Sequence, residues 1–186
     1  MELTVLELLE TLDPAGRDFT KICELVTKGA STPNTIFVKN IFKLKENPIS
    51  NFEEKYPDYV LKFHGTSNRC RLEILKNGFK IGNRALNMFG EGIYCADCPI
   101  KGASYTKGCG RIIVAKVFLG KQLTLIKSDK TLNKEKMRAR GFDSVFSPGG
   151  NKHIGGCRVS EYVIYDATKI TPAYVVEFFQ QPPNPE

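Results

Sequence analysis

The sequence predicts an α+β domain, and three observations support that fold class. Apolar residues recur at helical spacing over Leu3–Leu12 and from about Asp18 to Lys28. From Arg111 onward, segments typical of strands follow one another without regular crossover helices, which argues against a doubly wound parallel sheet. No G-x-G-x-x-G motif follows a predicted strand, so a Rossmann-type nucleotide site has no support.

The strands are predicted where β-branched and aromatic residues alternate with polar ones. They cover Thr35–Val38, Ile41–Leu44, Tyr59–Phe63, Gly92–Ala96, Arg111–Phe118, Phe142–Phe146, Glu161–Asp166 and Ala173–Phe179. Further helices are predicted over Ile49–Tyr56, Asn68–Asn77, Pro99–Tyr105 and Lys134–Arg140. Asn68 is the expected cap of its helix, Gly78 ends it, and Pro99 suits a first helical position. Ser31–Asn34 is predicted to be a loop.

Length and composition are those of one globular domain. The chain has 186 residues, 41% of them hydrophobic, with no internal repeat and no evident linker. We expect a single domain over residues 1–186, with a helical flank over 1–34 and a frayed Pro-rich tail over 180–186. No apolar run approaches the roughly 20 residues that a membrane span requires, and Met1–Thr4 lacks the basic flank of a signal peptide. These features predict an intracellular protein, cytoplasmic or nuclear, without membrane association.

The cysteines and the charge distribution limit the redox state and the possible partners of the chain. Six scattered cysteines do not resemble a disulfide framework, so free thiols are expected. The net charge is +7, and residues 121–158 hold nine Lys/Arg against three Asp/Glu. That segment is either a solvated face or a surface that attracts an anionic partner. Its only aromatic residues are Phe142 and Phe146, which weakens a nucleic-acid interpretation based on base stacking.

Three short segments concentrate residues able to do chemistry: Phe63–Thr66, Met88–Asp97 and Val159–Asp166. Each has a structural explanation when it is taken alone. A His-Gly pair can be a turn, a Gly-x-Gly-Ile-Tyr run can mark a close backbone crossing, and a glutamate that opens an apolar strand can face water.

Together and in this order, the segments resemble the catalytic domain of the poly(ADP-ribose) polymerase (PARP) superfamily, from about Phe63 to Phe178. The family's His-Tyr-Glu signature is matched by His64, Tyr94 and Glu161. Their context also fits, with G-x-G-I-Y-x-A-D, a second tyrosine at position 105 and E-Y-V-I-Y-D near the C-terminus. The resemblance implies the ADP-ribosyltransferase fold: two packed, mainly antiparallel sheets that form an NAD cleft, flanked by short helices.

The resemblance also implies an NAD⁺-dependent enzyme. It would cleave the nicotinamide glycosidic bond and transfer ADP-ribose to an acceptor, which is expected to be a protein and can be the chain itself. Such cleavage passes through an oxocarbenium-like state, as glycoside hydrolysis does. The protein must therefore hold both ends of NAD⁺ and stabilise positive charge on the ribose. NAD⁺ would be a co-substrate, and no metal is expected.

On the nicotinamide side, the resemblance assigns the carboxamide to the backbone of Gly65, where only a residue without a side chain permits close approach. Tyr94 and Tyr105 would sandwich the pyridinium ring by stacking and cation–π interaction. The family's usual serine before the second tyrosine is replaced by Gly102. Ser104 lies on roughly the opposite helix face and is not expected to substitute.

On the ribose and adenosine side, Glu161 is the expected catalytic carboxylate, and Lys101 is expected near it. His64 would bond a hydroxyl of the adenosine ribose, with Thr66 beside it. Lys80 is assigned to the adenosine or pyrophosphate, although a solvated lysine at a helix exit explains it equally well.

Two family features are missing before and within this core. Only 63 residues precede His64, too few for a helical regulatory subdomain plus the first strands. We therefore expect activity without DNA-triggered release. Thr106–Gly110 connects directly to the next strand, so the zinc-binding loop of tankyrase-like members has no counterpart.

Three alternatives remain open at this point. The chain can be a catalytically weak NAD- or ADP-ribose-binding module of the same fold. Cys95-x-x-Cys98 with His153-x-x-x-Cys157 has spacings that zinc accepts, although Cys95 directly follows a proposed stacking tyrosine. The basic segment can serve an acidic side chain, a growing ADP-ribose chain or a nucleic-acid end as acceptor. Mono- and poly-transfer are not separable from the motif.

Overall fold

The computed structural model describes residues 5–30, 36–82 and 87–180. Its helices are α1 (Val5–Leu8), α2 (Arg17–Gly29), α3 (Phe52–Lys55), α4 (Asn68–Asn77), α5 (Pro99–Ser104) and α6 (Lys134–Ala139). Its strands are β1 (Leu9–Thr11), β2 (Phe37–Leu44), β3 (Val60–His64), β4 (Ile93–Cys95), β5 (Arg111–Val117), β6 (Gln122–Thr124), β7 (Ser144–Ser147), β8 (Glu161–Ile164) and β9 (Ile170–Phe179). Short 3₁₀ turns cover Lys152–Ile154 and Ala167–Lys169.

The strands form two sheets. The first has five strands in the order β1-β2-β9-β5-β3, and every neighbouring pair is antiparallel. The second has four strands in the order β4-β8-β7-β6, in which only β6 and β7 run parallel. The sheets are linked where Phe63 N donates to Ala96 O at 2.8 Å and Ala96 N donates to Phe63 O at 3.0 Å. This α+β architecture of two mainly antiparallel sheets is the one predicted.

Alternation along β5 builds two layers of core. Ile112 and Val114 face a cluster that α2 covers with Ile22 and Val26. The intervening residues of β5 face the second sheet, in a cluster that includes Phe79, Ile93, Ile113, Ala115, Val117 and Ile164. Full burial of each large side chain contributes about 1.5–3 kcal/mol. The outer face of the second sheet carries a third cluster, to which Phe89, Met137, Val163 and Tyr165 belong.

The prediction of a helix over Leu3–Leu12 is wrong in its second half. Leu9–Thr11 is an edge strand whose residues pair with Phe42–Leu44. Leu9 is buried in a cluster with Leu44, Leu75 and Val175, so tertiary pairing overrides the helical periodicity. Leu3 lies outside the described residues.

Other elements are confirmed with shifted boundaries. The two strands predicted over Thr35–Val38 and Ile41–Leu44 are one strand with an irregular register between Val38 and Asn40, and Thr35 lies outside the described residues. The last strand begins at Ile170 and passes through Pro172, which is tolerated because the register shifts beside it, between Val114 and Ala115.

Three local details differ from the prediction. The cap of α4 is Ser67, whose hydroxyl accepts from Cys70 N at 3.4 Å, rather than Asn68. Strand β7 begins at Ser144, so Phe142 precedes it. Strand β6 was not predicted. The predicted loop Ser31–Asn34 and the tail beyond Gln180 lie outside the described residues. In the part of the chain that is described, no helix is long and apolar enough to cross a membrane.

Candidate active site

Glu161 is the first residue of β8 and is buried, with 7% of its surface exposed. Lys101 of α5 reaches it from the side of the first sheet, and Lys101 Nζ lies 3.0 Å from Glu161 Oε1. The same ammonium donates to Val159 O at 3.3 Å, just before the strand begins. The other carboxylate oxygen, Oε2, accepts from the Cys157 thiol at 3.4 Å. A buried carboxylate requires such compensation, and here both oxygens receive it.

Tyr94 lies on the same face of the second sheet as Glu161. It pairs with Val163, two residues beyond Glu161 along β8, and alternate strand residues share a face. Its hydroxyl accepts from Phe89 N at 3.0 Å and donates to Gly90 O at 2.9 Å. Burial raises the pKa of this hydroxyl well above its usual value, and the negative charge of Glu161 adds to the shift. Tyr94 is therefore a fixed, neutral ring wall beside the carboxylate.

His64 ends β3 at the junction of the two sheets. Its Nδ1 lies 2.8 Å from the carbonyl oxygen of Tyr94. A carbonyl only accepts, so Nδ1 carries the proton in this contact. The ring packs edge-on against Phe79, with centroids 5.1 Å apart and planes at 88°. The histidine is thus oriented by one predicted site residue and by the core.

Gly65 lies against α5 at the position of Gly102. A Cβ built on Gly65 would lie 1.6 Å from the Gly102 carbonyl oxygen and 2.5 Å from its carbonyl carbon. A Cβ built on Gly102 would instead meet only ordinary contacts, 3.5 Å from Phe63 Cβ and 3.7 Å from Gly65 N. Packing therefore requires a glycine at position 65 but not at position 102.

The remaining predicted residues differ in their exposure to solvent. Tyr105 follows α5 and is 53% exposed. Thr66 is buried directly after Gly65, whereas Lys80 is exposed and follows Phe79, whose ring contacts His64. The Ser104 hydroxyl donates to Lys101 O at 2.7 Å, so this hydrogen bond ties it to its own helix and not to Gly65. The structure brings His64 against Tyr94 and Lys101 against Glu161, and it places Tyr94 and Glu161 on one sheet face. The roles of all the predicted site residues stay predictions.

A buried lysine that the sequence reasoning missed braces this arrangement. Lys62 of β3 forms an ion pair with Asp97 and lies 4.0 Å from the centroid of the Tyr162 ring. The Tyr162 hydroxyl closes the triangle by donating to Asp97 Oδ2 at 2.8 Å. The three residues tie β3 to β4 and β8, the strands that carry His64, Tyr94 and Glu161. The sequence signal that could have identified Lys62 is a lysine between apolar residues within a predicted strand.

The cysteines are all free thiols, as expected. Cys95 is buried between the sheets, where burial raises its thiol pKa to about 12. Cys157 contacts Glu161 rather than His153 or the Cys95–Cys98 pair. Among residues 5–30, 36–82 and 87–180, no group of three His, Cys, Asp or Glu side chains is arranged to hold a metal ion.

The basic segment 121–158 is a solvent-facing surface. All nine of its Lys/Arg side chains are exposed, and Lys134 pairs with the carboxylate of Asp166 at 2.9 Å. A depression of about 490 Å³ adjoins α6 and contains none of the predicted site residues. Loops of this segment contact one another and approach the site, because Ser128 N donates to Gly155 O at 3.1 Å and Glu91 N donates to Leu132 O at 2.9 Å.

Two mainly antiparallel sheets, with a histidine, a tyrosine and a glutamate converging where they meet, define an ADP-ribosyltransferase fold. The model of the poly(ADP-ribose) polymerase catalytic domain matches residues 16–154, and the chain belongs to this family. The matched range includes His64, Tyr94 and Lys101 and ends before Glu161. The family is named for the transfer of ADP-ribose.

Two relatives agree with this assignment. The chain is 25% identical to the mono-ADP-ribosyltransferase PARP4 of Mus musculus, over 91% of this chain and 9% of that protein. It is 26% identical to poly [ADP-ribose] polymerase 2 of Zea mays, over 76% of this chain and 27% of that protein. The chain therefore spans less than a third of either relative's length.

Proposed function

We propose that this domain cleaves the nicotinamide glycosidic bond of NAD⁺ and transfers ADP-ribose to a protein acceptor. The observation that carries the proposal is the buried Lys101–Glu161 pair at 3.0 Å, on the sheet face that also presents Tyr94. Burying a charged carboxylate costs free energy. A buried carboxylate can in turn stabilise a ribosyl cation that develops beside it more strongly than an exposed one would.

The proposed reaction needs no reactant besides NAD⁺ and the acceptor. The bond between the ribose anomeric carbon and the nicotinamide nitrogen breaks, and its electron pair neutralises the pyridinium as nicotinamide leaves. The Glu161 carboxylate bonds the neighbouring 2′-hydroxyl and offsets positive charge on the ribose. A lone pair of the acceptor then forms the new bond to the anomeric carbon, and the acceptor's proton passes by way of Glu161 to solvent.

The two ends of NAD⁺ are held by different elements. The Gly65 backbone binds the carboxamide, and Tyr94 with Tyr105 encloses the pyridinium ring. His64 is held by its Nδ1 contact to Tyr94 O and bonds the adenosine ribose, with Thr66 and Lys80 on the same side. Because the two ends of NAD⁺ are bound separately, the glycosidic bond lies between the two tyrosine rings and the Glu161 carboxylate.

A single gel assay tests the proposal. The 186-residue chain is incubated with labelled NAD⁺, alone and with an acidic protein, and resolved by electrophoresis. A discrete labelled band indicates mono-transfer and a smear indicates chain elongation. Absence of both label and released nicotinamide would support the binding-module alternative. Label on an added oligonucleotide in place of protein would favour nucleic-acid ends as the acceptor.

Replacing Gly102 with serine should tighten NAD⁺ binding. A Cβ at this position meets only ordinary contacts and starts 3.7 Å from Gly65 N, so the side chain fits beside the carboxamide subsite. One added neutral hydrogen bond contributes about 0.5–1.5 kcal/mol, or roughly a two- to twelvefold lower Kd. Calorimetric titration with NAD⁺ measures the change.

The matched control is Gly102→Ala, which adds the same Cβ without a hydroxyl. Alanine should leave the Kd within about twofold of the parent chain, because neither variant displaces backbone. Equal affinity in the serine and alanine variants would show that the hydroxyl finds no partner at the carboxamide.

Protein modification should depend on salt more strongly than NAD⁺ hydrolysis does. The exposed cations of residues 121–158 would attract an anionic acceptor, and the screening length shrinks from about 30 Å at 0.01 M salt to about 10 Å at 0.1 M. Hydrolysis involves water as acceptor and gains nothing from that surface. Initial rates of both reactions across this salt range provide the measurement, and parallel curves would exclude acceptor steering by this segment.

A further inference from the structure

The Cys157 thiol lies beside the glutamate on which the proposed function depends. Its Sγ is 3.4 Å from Glu161 Oε2, and only 2% of the residue is exposed. The opposite oxygen, Oε1, is the one that Lys101 binds. The carboxylate is therefore held from two sides by different groups, an ammonium and a thiol.

The backbone between β7 and β8 places this thiol. Asn151 N donates to Cys157 O at 2.9 Å, and Gly150 N donates to Arg158 O at 3.0 Å, so the connection folds back on itself. Gly156 is pressed against the neighbouring loop, because a Cβ there would lie 2.0 Å from the Ile126 carbonyl oxygen. The residue before Cys157 has no room to shift towards that loop, and the position of the thiol follows from main-chain packing.

The thiol is in its donating form. Burial raises the pKa of Cys157, the nearby negative charge of Glu161 raises it further, and Ser147 acts in the opposite direction. The proton therefore stays on sulfur at neutral pH and is available to Oε2. Ser147 is fully buried at the register position opposite Glu161.

We propose that Cys157 is a positioning residue for Glu161, an inference that rests on the proposed function. The thiol fixes the plane of the carboxylate while Lys101 holds the other oxygen. Each carboxylate oxygen has two lone-pair directions, so the thiol leaves one on Oε2 for a ribose hydroxyl. A thiol is a weak donor, which orients the carboxylate while leaving it able to accept a proton from the acceptor.

The test compares kcat and KM for NAD⁺ hydrolysis in the full chain and three variants. In Cys157→Ala the donor is lost, and we expect kcat to fall about three- to tenfold while the KM for NAD⁺ stays within about twofold. Cys157→Ser restores a donor and should bring kcat back to within about twofold of the parent. Cys23→Ala, in the cluster under α2, is the matched control and should leave both constants unchanged.

Each outcome is decisive. A serine variant no better than the alanine variant, or an alanine variant equal to the parent, would overturn the positioning role while leaving the proposed function intact. Unfolding of Cys157→Ala alone, measured by thermal melting, would assign the residue to packing and would also overturn it. A parent chain that neither hydrolyses nor transfers would overturn the proposed function, and this inference with it.

Discussion

Glu161→Gln is expected to lower the rate of ADP-ribose transfer by about a hundred- to a thousandfold. The amide keeps the shape of the side chain but removes the charge that would stabilise the ribosyl cation and accept the acceptor's proton. In this variant the Lys101 ammonium still donates to Val159 O at 3.3 Å, so it keeps one of its two partners and continues to hold the backbone before β8. Release of nicotinamide from labelled NAD⁺ measures the effect without requiring a known acceptor.

The matched control is Glu53→Gln. Glu53 also forms an ion pair with a lysine, Lys116 of β5, which pairs with Leu61 at the opposite end of β3 from His64. The hydrogen bond from Lys116 lowers the pKa of the Glu53 carboxyl. Losing this pair, in which the Glu53 side chain is exposed, should leave nicotinamide release unchanged. Thermal melting of both variants ensures that the comparison is between folded chains. Full activity of Glu161→Gln would remove the catalytic assignment, whatever the acceptor.

Sequence alone predicts those parts of the fold whose signals are local. Helix α2 and the Gly78 terminus of α4 were predicted because periodicity and a left-handed glycine, with φ of 77°, are properties of neighbouring residues. The edge strand Leu9–Thr11 was not, because its state is set by residues 42–44, more than 30 positions away. Strand β6 has three residues and a distant parallel partner, so it leaves no periodic signal.

The same distinction applies to the site. His64, Tyr94 and Glu161 stand in contiguous motifs, and the sequence identified them by their immediate neighbours. The sequence presents Cys157 as a free thiol or, by its spacing from His153, as a candidate zinc ligand, and neither interpretation predicts a contact with Glu161. Its contact with Glu161 depends on a fold-back held by Asn151 and Gly156, which is a property of three-dimensional packing.

Gly65→Ala is expected to abolish NAD⁺ binding and to destabilise the fold by about 3 kcal/mol, the upper end of the usual cost of overpacking. The added methyl would lie 1.6 Å from the Gly102 carbonyl oxygen, and a backbone oxygen cannot swing aside as a flexible side chain can. Either β3 or α5 must move. Movement of β3 displaces His64, and movement of α5 displaces Lys101, so the carboxamide subsite and the carboxylate are disturbed together.

The control for this variant is Gly82→Ala, because a Cβ at Gly82 meets no heavy atom of the described residues within 4 Å. Calorimetric titration with NAD⁺ and thermal melting should show loss at Gly65 and no change at Gly82. The asymmetry between Gly65 and Gly102 sharpens the test, since the two glycines face each other and only one requires the absence of a side chain. Normal NAD⁺ affinity in Gly65→Ala would mean that the carboxamide is bound elsewhere, because no nicotinamide subsite built on this backbone could survive the displacement.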